Sequence, residues 1–203
     1  MNRTGVILCT GGIGSGKSVV ARLFRELGIP SYDCDHSAKT LYDKDPQLLA
    51  DVVRLTGADV LAADGRLDRA ALAGKIFADG ALRAEIEAWV HPAVIRDFEK
   101  WKAAQKAPLV VIESAILLEK PLFAGLMDWT VAVTAPEAVR VARVMARDGV
   151  TEAEVRRRMA AQWTDEARAA HADFILENDD RSALLPAVLT IIDKIKQRWK
   201  RQI

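Results

Sequence analysis

Short continuous apolar runs alternate along the chain with segments whose apolar residues recur at helical spacing. The run GVILCT, residues 5–10, is partly β-branched and ends at glycines, which predicts a buried strand. Val19, Val20, Leu23, Phe24 and Leu27 then recur at helical spacing and stop at Gly28, giving strand, loop and helix in that order. After Pro30, the segment SYDCD predicts a short second strand whose end carries both Asp33 and Asp35. From His36 to about Gln105 the pattern is helical, in the segments PQLLADVVRLTG, DRAALAGKIFAD, ALRAEIEAWV and PAVIRDFEKWKAAQ, with Asp68 as an N-cap before Ala71, Leu72 and Ile76.

Strand character returns at PLVVIES, which carries Glu113 at its end, and at DWTVAVTA, which stops at Pro136. An arginine-rich helical region follows to about His171. It is broken at RDGVT, where Thr151 and Glu154 form a capping box for EAEVRRRMAAQW, so a helical hairpin is expected. ADFILEN reads as a last strand, and SALLPAVLTIIDKIKQRWKRQI as a terminal helix that Pro186 should confine largely to its C-terminal side. Strands separated by helices imply a parallel α/β sheet that binds ligands beyond the carboxyl ends of its strands. The glycines, Asp33 and Glu113 all fall at such ends.

Composition narrows the partners. At 203 residues the chain suits one α/β domain with insertions. Its 29 basic and 28 acidic residues nearly cancel, which argues against a broad nucleic-acid or anionic-membrane surface, so any bound anion should be held locally. Cys9 and Cys34 read as small apolar side chains in a reducing cytosol. No segment approaches the roughly 20 apolar residues of a bilayer span, so a cytoplasmic protein that uses no membrane is expected. The sequence sets no oligomeric state.

Gly11, four residues, then Gly16, Lys17 and Ser18 match the phosphate-loop pattern G-x-x-x-x-G-K-[ST] between a strand and a helix. Glycines at 11, 12, 14 and 16 let backbone N–H groups close around phosphate oxygens, so residues Gly11, Gly12, Ile13, Gly14, Ser15, Gly16, Lys17, Ser18 and Val19 form the candidate ATP cradle. Lys17 adds a charge near the β and γ phosphates, Ser18 offers its hydroxyl to Mg²⁺, and the helix N-terminus contributes its dipole. A dinucleotide fingerprint fails, because it needs glycine where Lys17 or Val19 stands. The strings N-K-x-D and D-x-x-G of a regulatory GTPase do not occur, and a small-molecule kinase fits better than a motor. A nucleotide-controlled binding module, or a kinase for another nucleoside or metabolite, remains the alternative.

The chain resembles the dephospho-CoA kinase family over most of its length. The resemblance rests on TGGIGSGKS, the D-x-D of Asp33 and Asp35, DGRLDRAALAGKIFAD, the His91-Pro92 pair, ESAILLE, RVARVMARDG, RRRMAAQ and ADFILEN. Three positions depart from the family pattern: Glu113 stands in place of an aspartate, Ala115 in place of a proline, and Val19 where threonine often follows the Lys-Ser pair. The resemblance implies ATP-dependent phosphorylation of the ribose 3′-hydroxyl of dephospho-CoA, giving CoA and ADP. It also implies a P-loop NTPase-type core (1–35, 106–135 and 168–203), a helical substrate-binding insertion (36–105) and a helical lid (136–167).

Phosphoryl transfer needs an aligned hydroxyl, neutralised phosphate charge and exclusion of water. Asp33, matching the first D-x-D residue at a strand end, is the candidate base that orients the hydroxyl and takes its proton. Asp35 beside His36 reads equally as a helix cap or as a contact to substrate or metal shell. Glu113 resembles the acidic residue that ends the second signature strand of phosphate-loop proteins, positioned to hold Mg²⁺ through water. Glu119 matches a later family glutamate, and a simple helix or loop pair fits it too. Arg140, Arg143 and Arg147 lie along one side of a helix. The resemblance places Arg140, as a catalytic residue, and Arg143 on the ATP phosphates, and Arg147 less so; among Arg156, Arg157 and Arg158 one reaches phosphate and its neighbours face solvent. Arg69 and Lys75 are candidate contacts to the substrate diphosphate, although exposed helix charges need no such role. His91 reads as a structural hydrogen-bonding residue, with substrate binding as the alternative. Trp89 and Trp101 are expected to pack helices, and the basic segment KIKQRWKR to be a solvated helix end.

Overall fold

In the computed structural model, which describes residues 3–199 apart from the Phe77 side chain, β1 (Gly5–Thr10) is buried along its whole length. A strand buried from end to end needs cover on both edges and both faces. It pairs in parallel with β3 (Leu109–Glu113) on one side and β4 (Trp129–Thr134) on the other. β2 (Ser31–Asp33) and β5 (Phe174–Glu177) close the edges, giving the parallel order β2-β3-β1-β4-β5. Alternation survives only at the edge: Phe174 and Leu176 are buried while Ile175 and Glu177 are exposed.

One face of the sheet packs against α1 (Lys17–Glu26) and α9 (Leu184–Trp199), where Ile7, Val111, Val131 and Leu176 meet Val20, Phe24, Val188 and Ile192. Trp129 and Trp199 meet edge to face at 5.4 Å, a geometry that adds about 0.5–1.5 kcal/mol beyond area burial. Pro186 lies inside the first turn of α9 rather than before it. The helix therefore starts two residues earlier than expected, because the first-turn N–H that proline lacks has no intrahelical partner in any case. Residues 200–203, with Lys200 and Arg201 of the basic segment, lie outside the described residues.

The chain separates into two compact units, one built from the segments up to Asp33 and from Ala104 onward, the other from Cys34–Ala103. The second unit is helical: α2 (Cys34–Lys44), α3 (Pro46–Thr56), α4 (Arg69–Ala78) and α5 (Gly80–Ala103). Asp68 caps α4 by accepting from Ala70 and Ala71 N–H. α5 runs through Pro92, joining two segments that the pattern separates. Its buried Ile86, Val90, Ala93, Val94 and Phe98 form one continuous stripe, whose burial outweighs the single hydrogen bond that proline removes. Trp101 stacks on Phe98 at 6.0 Å, the packing role expected of it.

Within the first unit, α6 (Glu137–Asp148) and α7 (Glu152–Ala160) make the hairpin, turned by Gly149 at φ +67°. Thr151 accepts from Glu154 N–H, while the Glu154 carboxylate bonds to Arg158 and pairs with Arg157. Val141, Val144 and Val155 form a small core against which Ile13, Val150 and Met159 pack. The short helix α8 (Asp165–Ala169), capped by Thr164, leads into β5. Among the described residues, no helix is long and apolar enough to cross a membrane.

Candidate active site

The phosphate loop, residues 11–16, leaves the end of the central strand and runs straight into α1. None of the loop glycines Gly11, Gly12, Gly14 and Gly16 has room for a Cβ, and two of them show why. Gly16 adopts φ +90°, and a Cβ on it would overlap the Asn178 amide; a Cβ on Gly12 would overlap the Arg140 guanidinium.

The loop is braced by side chains distant in sequence. Gln162 accepts Ile13 N–H at 2.9 Å, and Arg140 Nε donates to the Ile13 carbonyl at 3.0 Å. Asn178 Nδ2 donates to the Ser15 carbonyl at 2.8 Å, and Arg143 Nη1 to the Gly14 carbonyl at 3.2 Å. A trans peptide sets its C=O and the following N–H on opposite sides. Engaging the Ile13 and Ser15 carbonyls with Arg140 and Asn178 therefore turns the Gly14 and Gly16 N–H groups away from those side chains, free to face an anion.

At the strand ends, Asp33 and Glu113 occupy paired register positions on β2 and β3, and Cys9 of β1 pairs with Glu113 in turn. Glu113 is buried, and its Oε1 accepts from the Ser18 hydroxyl at 2.5 Å. Asp33 is exposed. Burial raises the Cys9 thiol pKa well above the ordinary thiol range, and the neighbouring Glu113 carboxylate adds to the effect. Cys9 and Cys34 are both buried free thiols.

Asp35 is not at a strand end. The helix begins one residue after Asp33, so Asp35 sits in the first turn of α2, where a carboxylate favours the N-terminal dipole. Within the helical unit, Asp35 lines a shallow cavity with Ala38, Lys39 and Tyr42, and Arg69 donates to the Lys39 carbonyl and the Asp43 carboxylate. Lys75 is bound by Asp59 at 2.7 Å and by the Thr56 carbonyl; the hydrogen bond from Lys75 holds the Asp59 carboxyl below its usual range. His91 is half-buried in α5. These positions belong to the helical unit, whereas Lys17, Ser18, Asp33, Glu113, Arg140 and Arg143 belong to the other.

The three arginines of α6 divide. Arg140 is buried against the loop, with Nη1 3.1 Å from Asp165. Arg143 Nη2 is held by the Asn178 carbonyl and side chain and by Asp180. Arg147 is exposed and chelates its neighbour Asp148, whose hydrogen bond raises the guanidinium pKa further. Arg156 pairs with Glu152 and Glu137, and Val19 points outward. Beside the hairpin, Arg140, Arg156, Gln162, Trp163 and Asp165 line a cavity of about 570 Å³.

Three residues of this site escape the sequence reading. Gln162 and Asn178 brace the loop from 149 and 163 residues away, and Arg168 forms a buried ion pair with Glu119 at 2.6 Å. The available signals were faint: an asparagine closing a strand whose neighbours all end at the site, and an arginine set among alanines.

Ser18 and Glu113 supply a hydroxyl and a carboxylate side by side, a hard-oxygen donor set suited to Mg²⁺. No group of three His, Cys, Asp or Glu side chains among the described residues is arranged to hold a metal. The donor set thus fits an ion that keeps several waters and takes its other oxygens from phosphate.

A family model described as dephospho-CoA kinase matches residues 5–183. The dephospho-CoA kinase of Porphyromonas gingivalis is 41% identical over 190 residues, covering 93% of each chain. A crystal structure of a Thermus thermophilus protein aligns with a TM-score of 0.82 at 35% identity, over 97% of this chain and 98% of that one. The dephospho-CoA kinase from Campylobacter jejuni aligns with a TM-score of 0.70 at 20% identity, over 96% of this chain and 98% of that one, which is a likeness of fold.

Proposed function

The chain belongs to the dephospho-CoA kinase family, and from that premise we propose how its own residues divide the work of transfer. The reaction moves the γ-phosphoryl group of ATP to the ribose 3′-hydroxyl of dephospho-CoA, giving CoA and ADP. The observation that carries the reading is the register pairing of Asp33 with Glu113 at the strand ends, Glu113 on the strand next to the one that ends in the phosphate loop and Asp33 one strand further out. Backbone N–H groups of the loop and Lys17 hold the donor phosphates. Asp33, exposed at its strand end, orients the acceptor hydroxyl in line with the γ-phosphorus and receives its proton as the new P–O bond forms.

Arg140 lies against the loop, where a guanidinium neutralises charge on the transferring group, and Arg143 acts on the nucleotide through the loop it braces. The Ser18 hydroxyl and the Glu113 carboxylate beside it would hold Mg²⁺, which would supply charge neutralisation to the nucleotide phosphates. The helical unit 34–103, with Asp35, Arg69, Lys75 and His91, is read as the part that holds dephospho-CoA, and the hairpin 136–167 as the lid. The cytoplasm is the compartment this reading expects, supported by two cysteines that remain thiols.

The test is formation of ADP and CoA by purified protein with Mg²⁺, ATP and dephospho-CoA, against adenosine, nucleoside monophosphates and pantothenate derivatives as competing acceptors. Turnover confined to dephospho-CoA is the expected result. Folded protein that transfers to another acceptor, or to none, would remove the reading.

A further inference from the structure

Arg168, in α8, is the largest of the fully buried side chains, with 1% of its side chain exposed. A charge so placed is stable only among anions and carbonyls that replace its water. Nη2 donates to Glu119 Oε1 at 2.6 Å and Nη1 to the Trp163 carbonyl at 2.7 Å. Glu119 Oε1 also accepts the Trp163 N–H at 3.0 Å, so both backbone groups of Trp163 are tied to one ion pair. The residue before it is Gln162, which holds Ile13 N–H.

On its other side Arg168 faces Asp165. Asp165 Oδ1 lies 3.6 Å from Arg168 Nη1 and 3.1 Å from Arg140 Nη1, and neither approach is aligned as a hydrogen bond. Asp165 is thus held between two guanidinium groups by charge rather than by direction. Arg140 completes the chain by donating to the Ile13 carbonyl. Both polar groups of the Ile13 backbone therefore depend on side chains whose places are set around Arg168.

We infer that Arg168 is a positioning residue, fixing Arg140 through Asp165, and Gln162 through Trp163, against Ile13 of the phosphate loop. It touches no substrate itself, and the inference rests on the proposed role of Arg140 at the phosphates. A merely structural buried pair would fasten the segment after β3 to α8 and influence turnover only by loosening the fold.

The two roles separate in a double-mutant cycle on kcat and KM. Arg168→Lys and Asp165→Asn are each measured alone and in an Arg140→Lys background, with thermal melting to confirm folding. Each single change is expected to lower kcat about tenfold, and less than about twofold further once Arg140 is already altered. Equal factors in both backgrounds would overturn the inference, as would folded single variants with normal kcat. Should Arg168→Lys not fold, Glu119→Gln, which weakens the ion pair of Arg168 at a side chain 11% exposed, takes its place in the same cycle. Normal kcat in Arg140→Lys itself would sink the proposed role of Arg140 and this inference with it; additive losses on top of an impaired Arg140→Lys enzyme defeat the inference only.

Discussion

The Ser18 hydroxyl donates to Glu113 Oε1 at 2.5 Å, joining the first turn of α1 to the end of β3. The two oxygens come from segments 95 residues apart, so the sheet register, not local sequence, brings them together.

Glu113→Gln keeps the shape of that contact and removes its charge. The variant should need about ten to a hundred times more Mg²⁺ for half-maximal activity, the range typical of a residue supporting a metal shell, with little change in melting temperature. Activity titrated against Mg²⁺ checks this, and an unchanged midpoint would take Glu113 out of the metal's surroundings.

Asp33 sits exposed at the end of β2, so its replacement should leave the core undisturbed. Asp33→Asn is expected to bind ATP normally and to lose about 10²- to 10⁴-fold in transfer, the contribution of a positioned base. Near-normal turnover would exclude Asp33 as an essential base.

Gly16→Ala places a Cβ at φ +90° and against the Asn178 amide. The backbone strain alone costs about 1–2 kcal/mol. The melting temperature should fall by several degrees, and ATP affinity should fall with it because the Gly16 N–H faces the cradle. Isothermal titration with ATP beside a melting curve tests both halves.

Cys9 links stability to alkaline pH. Its thiol is neutral in the fold and its pKa is raised there by burial, so the folded chain keeps a proton that the unfolded chain releases from about pH 9 upward. Stability contributed by that proton is fully present below this pH and falls above it, by about 1.4 kcal/mol per pH unit. The wild-type protein should therefore lose stability more steeply than Cys9→Ala above pH 9 in urea unfolding. Parallel curves would show that the thiol does not titrate on unfolding.

The strands and the phosphate loop were legible because each is written locally, in an apolar run that stops at glycine, proline or an acidic residue. Asp35 was misplaced because SYDCD alternates like a strand, whereas Cys34 is buried as the first residue of a helix. The continuity of α5 through Pro92 was hidden for the converse reason: the local breaker is plain, but the buried stripe that overrides it extends from Ile86 to Phe98. Gln162, Arg168 and Asn178 were invisible as site residues. The faint local signals at Arg168 and Asn178 do not say which backbone groups, some 50 to 160 residues away, these side chains and Gln162 would meet.

The hydrogen bond from Asn178 to the Ser15 carbonyl also orders events during synthesis. The glycine-rich segment leaves the ribosome ahead of its partners: its strand lacks both sheet neighbours until residues 109–134 have followed, and the brace at Ser15 until residue 178. At about 5–20 residues per second, that interval lasts roughly 8 to 30 seconds. A nascent chain arrested before β5 carries the whole nucleotide signature and should still fail to retain ATP, because the brace that completes the loop comes from 163 residues further on.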